Sequence, residues 1–213
     1  FCFDGERKLQ SQFMRAIPFR DEETLILASS SSGNRMCVLD AAGAAVDTVG
    51  SFPYSDLLDK SVLRNSVFQS DLAVAHDGGV IVCCKSFNVI DIYAPDLSEC
   101  RRLVGPEPID VGVVARETPM GVMYAQKPFV KVFDWVAAGT GEFMVGYVGA
   151  YTEGSVAASE GAVKLLLFDR KGRPSKVFET PGPFRSFDVD WQNRNVYILT
   201  SDEAARVEVY GFN

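Results

Sequence analysis

The feature that most constrains this chain is a recurring unit. It consists of a short apolar run, a tight polar turn, a second apolar run, and a third that ends on an apolar or aromatic residue. Leu72-Ala73-Val74-Ala75 is followed by His76-Asp77-Gly78-Gly79 and then by Val80 to Cys84. Phe187 to Asp190 leads through Trp191-Gln192-Asn193-Arg194-Asn195 into Val196 to Leu199, and Phe133 to Ala137 leads through Ala138-Gly139-Thr140-Gly141 into Phe143 to Tyr147. Thr24 to Ala28, after the turn-like Asp21-Glu22-Glu23, has the same character. Runs this short, bounded by such turns, read as strands, and Asp-Gly or Gly-rich pairs supply the positive φ angles that hairpins need. The third runs are Met36 to Leu39, Val89 to Tyr93, Val163 to Phe168 and Val207 to Tyr210. Two of them continue into an Asp-x-x-Gly corner, Asp40 to Gly43 and Asp169 to Gly172, and a fourth run follows in Ala45 to Val49 and Lys176 to Phe178. Phe3-Asp4-Gly5 repeats the corner, with Leu9 to Met14 as its outer strand.

Phe3, Leu39, Tyr93, Phe168 and Tyr210 are spaced by 36, 54, 75 and 42 residues. The short intervals lie near the roughly 40–50 residues of a propeller blade. The long ones are expected to contain loops, at Gly105–Lys127 and Gly149–Gly161. A sandwich also has many short strands, but it has no reason to repeat the corner. The expected fold is all-β, a β-propeller of four-stranded antiparallel blades. A partial blade is expected over 1–17, with blades over about 18–52, 67–106, 129–180 and 184–213 of a single domain. Both ends of the chain read as strand interior, and a propeller closes its ring to hide its edges. The expectation is therefore a fragment of about four to five blades, with one or two more on the N-terminal side.

Charge narrows the partners. Lys and Arg number 21 against 28 Asp and Glu, a net charge of −7, which argues against nucleic acid or an anionic membrane as the main partner. With 47% apolar and 23% charged residues the composition is that of an ordinary globular core. No run approaches the roughly 18 apolar residues of a membrane span. Cys2, Cys37, Cys83, Cys84 and Cys100 are odd in number and irregular in spacing, so they form neither a disulfide framework nor a CxxC metal pair. Cys83 and Cys84, adjacent in a strand, point to opposite faces.

The stretch from Leu167-Phe168-Asp169-Arg170-Lys171-Gly172-Arg173-Pro174 through Phe187-Asp188-Val189-Asp190 and Asn195-Val196-Tyr197-Ile198 resembles the TolB-like six-bladed propellers of Bacteroidetes. Gly33-Asn34-Arg35 to Gly50-Ser51-Phe52-Pro53 resembles an earlier blade of the same proteins, and Gly105-Pro106-Glu107 recurs there. The resemblance implies six blades when whole, and a periplasmic, secreted or lipid-anchored protein of the cell envelope. It implies no settled activity, because the shared motifs are structural corners.

Chemical motifs are few. His76 is the only histidine, so any Ser-His-Asp, Cys-His or histidine–metal site must use it, and its neighbours make it an exposed turn residue. Asp188 and Asp190, one residue apart on a strand, share a face and could hold a cation; the alternative is that they bind backbone groups at the strand end. Gly139-Thr140-Gly141 has no helix after it to present a dipole to phosphate, and reads as a hairpin turn. Arg101-Arg102 and Arg170-Lys171 are too sparse for a nucleic-acid face. No cofactor is expected.

What remains is geometry. In blades of antiparallel strands a to d, the b–c and d–a connections emerge on one edge, and loops carry function more often than scaffold does. That edge gathers the Gly105–Lys127 and Gly149–Gly161 segments with Phe52–Asn65 and Thr180–Arg185. Tyr54, Arg116, Tyr124, Tyr151 and Arg185 are the candidate ligand-binding residues there. The resulting expectation is a non-catalytic binding or scaffold module for a protein, peptide or glycan. The alternative is a propeller-type hydrolase or lactonase with a carboxylate-bound cation in the central channel.

Overall fold

The structure, a computed structural model, describes residues 15–20, 22–27, 34–52, 68–105, 113–119, 121–126, 129–152, 164–182, 184–200 and 204–213. Among them every regular element is a strand. The chain divides into two compact units, Phe1–Ser66 and Val67–Asn213. Among its described residues the first holds one antiparallel sheet, in the order β1 (Ala16–Pro18), β2 (Thr24–Leu27), β3 (Met36–Leu39), β4 (Ala45–Val49). Every residue of β3 is buried, and Cys37 packs with Leu39. Burial pushes the Cys37 thiol up, and the Asp47 carboxylate adds to the effect.

The second unit repeats the pattern. One meander runs β5 (Ser70–Val74), β6 (Val80–Cys84), β7 (Val89–Tyr93), β8 (Cys100–Val104). A hairpin of β9 (Val113–Thr118) and β10 (Gly121–Gln126) follows. A second meander runs β11 (Phe129–Ala138), β12 (Glu142–Thr152), β13 (Lys164–Asp169), β14 (Pro174–Glu179). The last sheet has three strands, β15 (Phe184–Asp190), β16 (Asn195–Thr200) and β17 (Val207–Gly211). The fold is all-β, and its four-stranded antiparallel meanders are blades of the propeller type. Two expectations are corrected. The Gly105–Lys127 segment, read as a loop, contains the β9–β10 hairpin. The segment from Gly149, also read as a loop, continues β12 as far as Thr152. In neither place does an Asp-Gly or Asp-x-x-Gly pair mark the end of the strand.

Strand alternation builds two apolar layers. Phe143 and Val145 of β12 point to one side and pack with Ile81, Cys83, Ile90 and Ile92 of the first meander. Met144, between them, points to the other side and packs with Leu165, Leu167, Val196 and Ile198. Residues two apart on a strand share a face, so one strand serves both layers. Burial of such side chains contributes roughly 1.5–3 kcal/mol each. β6, between two such layers, is wholly buried, whereas the fourth strands β8 and β14 are mostly open to solvent.

Aspartates close the turns on one edge of the sheets. Asp169 Oδ1 accepts from the N–H groups of Lys171 and Arg173, and Asp40 Oδ1 accepts from Ala42 and Ala44 in the matching corner. Gly172 and Gly43 take φ of 77° and 82° there, the left-handed region that favours glycine. The turn between β7 and β8 is one residue longer: Leu97 N–H, at φ 64°, donates to the Ala94 carbonyl as Gly43 and Gly172 do to their aspartates, but Ala94 N–H donates to the Glu99 carbonyl. Asp77, Asp96 and Asp190 accept backbone N–H bonds in their own turns. His76 is exposed in the β5–β6 turn.

Neighbouring sheets clasp one another along this edge. Arg170, after β13, is 2.6 Å from Asp77 in the β5–β6 turn. Arg194, after β15, pairs with Glu142 at the start of β12 and lies 4.1 Å over the Phe212 ring.

These contacts set a pH dependence. The Asp169 carboxyl is held below its ordinary value of 3.8, first by the Arg173 N–H and then by the Arg173 side chain. Asp190 is lowered by the Asn193 side chain and N–H, and Asp77 is lowered because the Gly79 N–H and Arg170 outweigh its partial burial. A carboxyl depressed by folding stabilises the native state above its unfolded value, and that contribution is lost as pH falls through the folded value. Urea midpoints are expected to hold steady near neutrality and to fall once pH drops below about 4. Asp169→Ala should lower the neutral midpoint and flatten the acid limb. An unchanged acid limb in that variant would contradict the assignment.

Candidate functional site

On the opposite edge of the second unit, the first strand of the second meander departs from regularity. Residues 131–138 of β11 are buried in adjacent pairs, Val132 with Phe133 and Val136 with Ala137, where a regular strand alternates. The pairing register slips between Lys131 and Phe133 and again between Asp134 and Val136. Such bulges re-aim side chains. Trp135 sits in the second slip with φ 66°, an outlying conformation for so bulky a residue. Gly146 lies opposite, and a Cβ there would meet the Asp134 carbonyl oxygen at 2.3 Å. The bulge therefore requires glycine at position 146.

Two hydrogen bonds fasten this distorted strand to the first meander. Val132 N–H donates to the Lys85 carbonyl at 2.6 Å, and Val136 N–H donates to Oδ2 of the buried Asp71 at 3.2 Å. They lie on either side of Trp135. Conformations this costly persist where surrounding structure over-determines them, and they gather at functional sites.

The bulge gathers four side chains. Lys85, in the β6–β7 turn, lies 3.4 Å from Asp134 Oδ1, and Lys131 lies 2.5 Å from Asp134 Oδ2. The Lys85 ammonium is also 5.6 Å from the centre of the Trp135 ring, within cation–π range. Both lysine side chains are 34% exposed and that of Asp134 is 15% exposed. Two ammonium groups against one carboxylate give the group a formal charge of +1 within a chain of −7. It offers donors, an acceptor and part of an aromatic face at one place.

The described residues among those singled out from the sequence lie on β9, β10, β12 and β15. Tyr151, on β12, pairs with Val130 of β11, one position from the Lys131–Ala150 pair. Arg116 and Tyr124 lie on the β9–β10 hairpin, where Arg116 pairs with Met123 and Tyr124 with Ala115. Arg185 is exposed near the start of β15, at another register slip. Tyr54 lies outside the described residues. Lys85, Lys131, Asp134 and Trp135 escaped the sequence reading. The available signal was the broken alternation of β11 around one of only two tryptophans.

The carboxylates considered for a cation are placed otherwise. Asp190 uses both oxygens within its own turn, Oδ1 for two backbone N–H groups and Oδ2 for the Asn193 amide. Asp188 is exposed and accepts from the next N–H along the chain. No group of three or more His, Cys, Asp or Glu suited to a metal occurs among the described residues. Asp91, wholly buried on β7, is held by Arg102 of β8 through two hydrogen bonds of 2.7 and 3.0 Å. An apolar cavity of about 160 Å³ lies between the outer strands of the last two sheets, against Phe178, Tyr210 and Phe212. No helix among the described residues is long and apolar enough to cross a membrane.

No family model and no curated protein matches the sequence. Similar solved structures include a chain of a nidogen/laminin complex, 9% identical with a TM-score of 0.47, matched over 91% of this chain and 57% of that one. The virginiamycin B lyase of Staphylococcus aureus is 14% identical with a TM-score of 0.32, over 92% and 83% of the two chains. The WD40 domain of Neurospora crassa Pan2 is 7% identical with a TM-score of 0.36, over 94% and 65%. The chain thus spans less than two thirds of the nidogen/laminin chain it matches. At such identities and scores, none of these similarities carries an argument about function.

Two substitutions test the bulge. Gly146→Ala is expected to lower unfolding free energy by about 1–3 kcal/mol through steric overpacking. Gly182→Ala, with nothing within 4 Å of the added Cβ, should change it by no more than about 0.5 kcal/mol. Asp71→Ala leaves the Val136 N–H without this acceptor and should lose about 1–3 kcal/mol, whereas Asp188→Ala should be near neutral. Equal urea midpoints for Asp71→Ala and Asp188→Ala would remove Asp71 as the brace.

Proposed function

We propose that this chain is a non-catalytic binding module whose protein, peptide or glycan ligand sits on the edge of the sheets that carries Lys85, Lys131 and Trp135. The observation that carries this reading is the division of polar groups between the two edges. On one edge Asp77, Asp169 and Asp190 are engaged in turns and clasps between sheets. On the other, a strained bulge presents two lysines, a carboxylate and a tryptophan that no turn requires. Arg185 and the backbone positions of Arg116, Tyr124 and Tyr151 lie on strands that begin or end on that edge. The alternative, a hydrolase or lactonase with a cation on Asp188 and Asp190, draws little from the local geometry, because Asp190 already bonds within its turn. A place in the cell envelope belongs to the proposal and rests on the Asp40–Gly43 and Asp169–Gly172 corners that resemble the TolB-like proteins.

An oligosaccharide array and a displayed peptide library, screened in parallel, test this reading. Binding to at least one class is expected, with affinity reduced about tenfold by Lys131→Ala together with Trp135→Phe. The pair Arg170→Ala and Arg194→Ala, on the opposite edge, should leave affinity unchanged at a temperature where all variants are folded. Loss confined to the second pair, or no binding to either class, would overturn the proposal.

A further inference from the structure

Resting on that reading, we infer that the ligand is an acidic glycan, and that the bulge is a subsite for one uronate residue. The group makes three different chemical demands. Two ammonium groups converge within 3.4 Å of the same carboxylate and outnumber the one acid they touch, which favours an added anion. The Trp135 ring, partly exposed on the bulge, has the Lys85 ammonium 5.6 Å from its centre, and the apolar surface beside that ammonium is of the kind that packs against sugar C–H groups. The side chains around it supply both donors and an acceptor for hydroxyls. A uronate meets all three demands, with a carboxylate, a C–H face and ring hydroxyls on one unit. A neutral sugar leaves the charge unmatched, and a simple inorganic anion leaves the ring unused.

Asp134 has a definite part in this arrangement. It holds both ammonium groups in place while no ligand is bound, and it competes with an incoming carboxylate for them. Its removal should therefore act opposite in sign to removal of either lysine. A group that served only to brace the strand would not give that sign reversal, since losing either side of a brace weakens the same structure. Long-range repulsion from the acidic chain favours short oligomers, and their binding should weaken at high salt.

Calorimetric titration with tri-galacturonate, with neutral galactotriose as control, tests the inference on the full chain. Wild type is expected to bind the acidic trimer at least about tenfold more tightly than the neutral one. Lys85→Gln and Lys131→Gln should each weaken acidic-trimer binding about tenfold, and Lys85→Arg should retain most of it. Asp134→Asn should strengthen it about threefold or more. Thermal melts confirm that each variant is folded at the titration temperature, and Lys85→Arg remains informative if a Gln variant is not. Equal affinity for the two trimers, no binding of the acidic trimer, or weaker binding by Asp134→Asn would each overturn the uronate subsite. Peptide binding on this edge with no saccharide binding would overturn it while leaving the binding-module reading intact.

Discussion

The second unit depends on strands that are buried on both faces. Phe143 and Val145 join one apolar layer while Met144, between them, joins the other, so β12 ties its own sheet to the sheets before and after it. β13 does the same, with Leu166 and Phe168 on one side and Leu165 and Leu167 on the other. A one-residue slip would exchange the two faces of the strand. The hydrophobic layers therefore fix the register from which the turns, the clasps and the bulge take their positions.

Fixing the register also separates the charged groups. The first-to-second and third-to-fourth strand turns fall on one edge, where aspartates cap backbone N–H groups, Asp77 pairs with Arg170 and Glu142 pairs with Arg194 of a neighbouring sheet. Those acids are engaged by the fold. The opposite edge receives the β6–β7 turn and the irregular start of β11. There Lys85 and Lys131 meet across two sheets on a single carboxylate. Within an acidic chain, two ammonium groups from different sheets thus share one acid on this edge.

Some of this was legible in the residues. Asp-x-x-Gly at 40–43 and 169–172 announces the turn because the aspartate accepts from the backbone and glycine tolerates positive φ. The turn at Ala94–Leu97 has no aspartate at its first position and no glycine at its fourth; Pro95-Asp96 stands inside it instead, with Asp96 accepting from the Ser98 N–H. The β9–β10 hairpin was missed because its turn, Thr118-Pro119-Met120-Gly121, carries no aspartate to mark it. Arg185 and Tyr151 could be assigned to an edge by counting strands. Lys85, Lys131, Asp134 and Trp135 could not be brought together that way. They are up to 50 residues apart in the chain, and the bulge that converges them depends on Asp71 and Gly146 from other strands.

The sequence by itself determined the strand class, the four-strand repeat and the turn chemistry, since each follows from local periodicity and from the backbone preferences of Asp and Gly. It also determined a negative net charge, and with it the classes of partner that charge disfavours. Tertiary structure alone decided which carboxylates are occupied, where a strand breaks register, and which distant lysines share an acid. Those outcomes depend on contacts between sheets, whose energies come from neighbours remote in the chain and leave no fixed spacing to read.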